Sequence, residues 1–314
     1  MSLLRGLLEP HGEVLEGGAE KWQEEDFIKG VPEWDVILVT SREQVTERVI
    51  AAGSRLKIIA KFGVGVENID IPAATHAGIP VTNCPGSNAI AVAEAALGLI
   101  FATVRGIPSY MGKLREGAWR EVLVDTFELT GSTFGIVGIG NVGRELARLL
   151  RGFDGRILAC DPYLEPDEIR VRGAEPVDLD TLTLESDVIS LNCSLTDETR
   201  HMFGADRFRM MKSHSVLVNC SRGPVIDEKA LVGALREEVI AGAGPDVFEG
   251  EPPDRTNPLF TLPNPVVTPH LAGSTHMAHE RIFHMAADSI IRVLKGEWPD
   301  PVFLRNPKVY EINA

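Results

Sequence analysis

The sequence predicts an α/β protein made of two doubly wound parallel-sheet domains, the smaller of them discontinuous. Three observations carry this expectation. Short β-branched runs without polar alternation recur between helical stretches, as strands covered on both faces by helices require. A glycine-rich turn, Gly138-Ile-Gly-Asn-Val-Gly143, lies between one such run and a helical period. A chain of 314 residues also exceeds what a single core organises well, so about two lobes are expected.

In chain order, residues 3–18 read as a partial helix and then a short segment at 13–15, with no obvious first strand. Strands are predicted at 35–39 and 57–60, each followed by a possible helix, which makes a smaller α/β lobe. A helix over 88–104 is apolar almost all the way round, which implies burial on every side and a linking position. The larger lobe begins near Gly135, with strands predicted at 134–138, 157–160, 187–191, 215–218 and 266–268. Helices over 142–150 and 228–237 make the crossovers. A last helical period over 274–294 leaves room for the chain to return to the first lobe. The domains are therefore drawn as 1–103 with 276–314, and 104–275.

The 31 Lys+Arg against 45 Asp+Glu give a net charge of −14, which repels phosphate backbones and anionic lipid. Neither a nucleic acid nor a membrane partner is expected. The apolar run at 95–104 falls short of the roughly 20 residues of a membrane span. The Leu-rich start is interrupted by Glu9, Pro10, His11 and Gly12, unlike a secretory signal, so a cytoplasmic protein is expected. Cys84, Cys160, Cys193 and Cys220 lack CxxC spacing and read as free thiols. No metal is expected, either at the acidic cluster Asp246, Glu249, Glu251 and Asp254 or at the trio His276, His279 and His284, where only the first pair shares a helix face and no carboxylate completes a zinc spacing such as HExxH.

The glycine turn carries the first chemistry. Gly138 allows a tight turn, Gly140 lets backbone approach a pyrophosphate, and Gly143 lets helix and strand pack closely. Asn141 and Val142 complete the helix start, whose unpaired N–H groups face the anion. Asp161, at the end of the next strand, would accept from a ribose 2′-hydroxyl and repel a 2′-phosphate, which favours NAD over NADP. Three further stretches follow strand-like runs: Val218-Asn-Cys-Ser-Arg-Gly-Pro-Val-Ile-Asp227, Asp246-Val-Phe-Glu-Gly-Glu-Pro252 and Thr268-Pro-His-Leu-Ala-Gly-Ser274. Strand carboxyl ends face the ligand crevice in such sheets, so Arg222, Glu251 and His270 are expected to converge there.

Taken together, these motifs resemble the D-isomer-specific 2-hydroxyacid dehydrogenase family, which includes phosphoglycerate dehydrogenases and glyoxylate/hydroxypyruvate reductases. The resemblance runs from about 35 to 296. It implies two Rossmann/flavodoxin-like domains and an NAD-dependent oxidoreductase interconverting a D-2-hydroxy acid and its 2-keto acid, with the substrate closed between the two lobes, and a homodimer paired through the cofactor lobes. In that resemblance Arg222 holds the carboxylate and carbonyl oxygen, His270 is the acid/base, and Glu251 hydrogen-bonds the second ring nitrogen of His270. Asp246 lies near the nicotinamide, while Cys193, Cys220, Ser221 and Gly273 belong to the cofactor groove.

The loops Lys61-Phe-Gly-Val-Gly-Val-Glu-Asn-Ile-Asp70 and Asn83-Cys-Pro-Gly-Ser-Asn88 match the family's substrate side. There the amides of Val64 and Gly65 would bind a carboxylate. Lys61 stands where phosphoglycerate dehydrogenases usually place arginine, so a phosphorylated substrate and a small 2-keto acid both stay open. An NADH-sensing binding protein on the same scaffold and a phosphite-type dehydrogenase are the alternatives. Pro245 replaces a usual leucine or isoleucine. With the sequence closing soon after Asn306, the C-terminal regulatory domain of some phosphoglycerate dehydrogenases is not expected.

Overall fold

The computed structural model describes residues 2–17, 22–121 and 125–312. Two compact units divide the chain, Met1–Asn88 with Ser274–Ala314, and Ala89–Gly273. The first unit is thus discontinuous. The division falls after residues 88 and 273, whereas the sequence places it after 103 and 275.

The first unit holds a parallel sheet of three strands, β1 (Val36–Val39), β2 (Ile58–Lys61) and β3 (Val81–Thr82), in that order. β2 is buried along its whole length, as a central strand covered on both faces must be. Helices Glu47–Ala52 and Ile71–His76 make the crossovers, started by Thr46 and Asp70, whose side chains cap the first turns. The short β3 carries too little chain for a hydrophobic period, and the sequence does not predict it. It is held by an antiparallel bridge from Thr82 to Leu304 on the returning chain. The helix His276–Leu294 covers β2, and Phe283 and Ala287 bury against Leu4 of the helix Ser2–Leu8. No strand forms at 13–15.

The second unit is a six-stranded sheet, parallel throughout. Its strands are β4 (Phe134–Val137), β5 (Ile157–Cys160), β6 (Glu175–Pro176), β7 (Val188–Leu191), β8 (Val216–Asn219) and β9 (Gly242–Pro245). The order β6-β5-β4-β7-β8-β9 reverses between β4 and β7, and a ligand crevice opens at the carboxyl ends of strands at such a point.

Two sequence expectations are corrected here. The edge strand is Gly242–Pro245, not 266–268. Residues 266–268 run beside it, with Val266 N–H donating to Ala243 O and Thr268 N–H to Pro245 O, but only Pro265 forms a bridge. Pro245, whose missing N–H faces that segment, cannot donate to Val266 O, and the ladder stops there. The helix Ala89–Val104 is not buried all round: Ile90, Glu94 and Gly98 form an exposed strip, while its other faces pack on the helix Asn141–Leu150, β8 and β9. Among the described residues no single helix is long and apolar enough to cross a membrane.

Candidate active site

The glycine turn joins β4 to the helix Asn141–Leu150. Gly138 has φ +83°, and a Cβ there would fall 2.8 Å from the Cys193 backbone. A Cβ on Gly143 would lie 2.3 Å from Gly138 O, so helix and turn fit only without side chains. Above Gly140 the space is open, and no side chain caps the helix, which leaves its first N–H groups to an outside acceptor. This is a fitting cradle for a dinucleotide pyrophosphate.

Asp161 stands just past β5 and binds the turn itself. Its Oδ2 accepts from Ile139 N–H at 3.0 Å and its Oδ1 from Tyr163 N–H at 3.2 Å. Each carboxylate oxygen keeps a second lone pair for a ribose hydroxyl. Arg172, which the sequence does not single out, donates to Ile139 O at 2.8 Å. One residue of the turn, Ile139, is thus held at its N–H by an acid and at its carbonyl by a base. No motif marks Arg172, since it lies past an intervening helix, Pro166–Val171.

Beyond β8, Asn219 organises the next loop. Its Oδ1 accepts from Ser221 N–H and Oγ–H, and its Nδ2 donates to Arg222 O. Arg222 is half-buried, and its Nη1 donates to Ser221 O at 2.8 Å. Burial drives the Cys220 thiol far up from its ordinary value and that of Cys193 up to about 11, so both stay neutral near pH 7. All four cysteines are free.

Beyond β9, Asp246 is buried at 1% exposure and both of its carboxylate oxygens are engaged. Oδ1 accepts from Thr268 Oγ1 at 2.6 Å and Leu271 N–H at 3.1 Å, and Oδ2 from Ala272 N–H at 2.9 Å. The His270 N–H donates to Asp246 O at 2.7 Å. Asp246 therefore fixes the segment bearing His270, whose own φ of +55° lies in the left-handed region. Gly273 ends this segment and the unit. Pro245 also finds its place. Its carbonyl accepts from Thr268 on the outer side of edge strand β9, so its missing N–H faces that side and costs β8 nothing.

Glu251 Oε2 lies 2.7 Å from His270 Nδ1, and Glu251 Oε1 accepts from Phe248 N–H at 3.0 Å. Burial alone would raise the Glu251 carboxyl, but the His270 hydrogen bond, the Phe248 N–H and the charges of His270 and Arg222 outweigh it and hold it below its ordinary value. An ionised carboxylate only accepts, so Nδ1 of His270 carries the proton that points at it. Nε2 is left as the exchanging nitrogen, on a half-exposed side chain. His270 is raised above its ordinary value of 6.5, first by the Glu251 hydrogen bond, against burial, and further by the charges of Glu251 and Asp246.

In the first unit Lys61 is buried at 3% exposure, its ammonium donating to Thr40 O and Asn68 Oδ1. Val64 and Gly65 follow on an exposed to half-buried loop. Among the described residues no three His, Cys, Asp or Glu side chains gather as a metal site.

The family model for the NAD binding domain of D-isomer specific 2-hydroxyacid dehydrogenases matches residues 97–272, which contain the glycine turn, Asp161, Arg222, Glu251 and His270. The chain belongs to that family. Its cofactor is NAD. It is 41% identical over 288 residues to a hydroxypyruvate reductase of Thermotoga maritima, covering 90% of this chain and 92% of that one. It is 40% identical over 298 residues to a D-3-phosphoglycerate dehydrogenase of Methanocaldococcus jannaschii, covering 94% of this chain but 56% of the relative, so the chain spans little more than half of that protein. Among solved structures, the D-lactate dehydrogenase of Aquifex aeolicus complexed with NAD and lactic acid is 26% identical, with a TM-score of 0.81 over 95% of this chain and 93% of that one.

Proposed function

We propose that the chain reduces a small, unphosphorylated 2-keto acid of the glyoxylate or hydroxypyruvate kind to its D-2-hydroxy acid. The observation that carries this is the Glu251–His270 pair beyond β9, with Arg222 in electrostatic reach of both partners. When bound, NADH supplies a hydride to the carbonyl carbon. Arg222 offers a planar fork to the carboxylate and the carbonyl oxygen. His270 Nε2 delivers the proton to that oxygen as charge develops on it, and Glu251 steadies the imidazolium beforehand. Gly138, Gly140, Asn141, Val142, Gly143 and Asp161 hold the dinucleotide, with Cys193, Cys220, Ser221, Asp246 and Gly273 shaping its surroundings. Val64 and Gly65 receive the substrate carboxylate.

The state of Lys61 favours the unphosphorylated substrate. A lysine whose ammonium is already engaged by a carbonyl and an amide oxygen inside its own unit offers little to a phosphate. A second copy of the chain is the proposed partner. The helix Ile107–Arg115 leaves Ile107, Tyr110, Met111 and Leu114 exposed on one face, at the i, i+3, i+4, i+7 spacing of a buried helix surface. Sedimentation of a monomer at micromolar concentration would count against it.

The assignment is tested by NADH oxidation with glyoxylate, hydroxypyruvate, pyruvate, phenylpyruvate and 3-phosphohydroxypyruvate side by side. Preference for glyoxylate or hydroxypyruvate is expected. Preference for the phosphorylated acid would overturn the substrate class, and tight NADH binding without turnover would favour a sensor.

A further inference from the structure

The loop after β2 shows how two backbone amides can be aimed by groups that need touch no ligand. Gly63, at φ +133°, turns the chain so that two successive carbonyls face the segment after β3. Gly63 O accepts from Cys84 N–H at 2.9 Å, and Val64 O accepts from the Asn83 side-chain Nδ2. Both peptides, 63–64 and 64–65, are trans, and in a planar trans peptide the carbonyl and the N–H point in opposite directions. The Val64 and Gly65 N–H groups therefore point away from residues 83 and 84. Neither donates to any described residue, and Val64 lies at the surface with 36% exposure.

Asn83 itself is anchored. It is buried at 6% exposure, its N–H donates to Phe303 O at 3.0 Å, and its Oδ1 has no partner among the described residues, so the amide is committed to the loop through Nδ2. We infer that Asn83 is a positioning residue for the substrate carboxylate: by holding the Val64 carbonyl it aims the Gly65 N–H, as Cys84 N–H aims that of Val64, and the adjacent amides form a two-donor cradle for the anion. This rests on the reductase assignment above. Asn83 then governs how tightly 2-keto acids are held and leaves the dinucleotide site, in the other unit, untouched.

The test is Asn83→Leu, which keeps the side chain's size and removes the donor. Oxamate, an unreactive 2-keto acid analogue, is titrated calorimetrically into the NADH-saturated enzyme, alongside KM and kcat for hydroxypyruvate and the Kd for NADH. The inference predicts that the oxamate Kd and the KM rise by at least about tenfold, the worth of a hydrogen bond to a charged group. NADH binding stays at the wild-type value and kcat falls less than KM rises. Unchanged oxamate affinity in the variant overturns the positioning role alone, whereas wild-type protein that binds NADH but no oxamate overturns the reductase assignment beneath it. Should the variant not fold, amide NMR of the wild-type protein decides: downfield shifts of the Val64 and Gly65 protons on adding oxamate support the cradle, and their absence overturns it.

Discussion

Gly223 sits against Phe248 so closely that a Cβ at 223 would fall 1.7 Å from the Phe248 carbonyl oxygen. The loop bearing Arg222 is thereby set directly on the loop that leads to Glu251. Gly223→Ala must push them apart, and a shift of about 1 Å at a reacting group can cost on the order of a hundredfold in rate. We expect that loss in kcat/KM for 2-keto acids with the NADH Kd unchanged. Steady-state kinetics beside a fluorescence titration of NADH checks it.

Replacing Glu251 by Gln should move the pH profile of reduction. His270 is raised above 6.5 by its Glu251 hydrogen bond, so the imidazolium that reduction needs is fully present at low pH and lost as pH climbs through the raised value. Without the carboxylate charge that value falls, and the alkaline limb of kcat/KM moves to lower pH. An unmoved limb would mean that another group sets it.

Asp246→Ala removes the acceptor of the Thr268 hydroxyl and of the Leu271 and Ala272 N–H groups. Losing hydrogen bonds from part-buried donors to a buried carboxylate costs about 1–3 kcal/mol, and the segment bearing His270 loses its anchor. Urea unfolding should show a destabilisation of that order, together with a fall in kcat.

Arg172→Ala frees the Ile139 carbonyl while leaving the Asp161 hydrogen bond to the other end of that residue. A charged hydrogen bond is worth about a tenfold effect or more. NADH binding should weaken by about that factor, and the KM for the 2-keto acid, measured at saturating NADH, should stay the same.

What the sequence made legible follows from how each element is buried. β4, β5, β7 and β8 lie inside the sheet, and runs such as Phe-Gly-Ile-Val and Val-Ile-Ser-Leu announce themselves without any knowledge of their neighbours. β9 is Gly-Ala-Gly-Pro because a helix lies directly on it. A Cβ on Gly242 would come within 2.7 Å of Thr103 Cγ2, and one on Gly244 within 3.1 Å of Leu99 Cβ, so the strand's composition is dictated by residues about 140 positions earlier. The same partnership places the helix Ala89–Val104 in the larger unit. Arg222, Glu251 and His270 stood out as candidates because each lies within a distinctive string of residues. The anchoring work of Asp246, Asn219, Arg172 and Asn83 was not, since each acts on backbone groups that only the folded chain brings within reach.

The most direct measurement is a paired one on His270→Ala, the NADH Kd by fluorescence and the single-turnover rate of NADH oxidation with glyoxylate and hydroxypyruvate. Loss of the proton donor should lower the rate by about 10²–10⁴-fold while the NADH Kd stays within error of the wild type. A variant that still oxidises NADH at the wild-type rate would contradict the assignment of His270 as the acid, and with it the account of the Glu251–His270 pair.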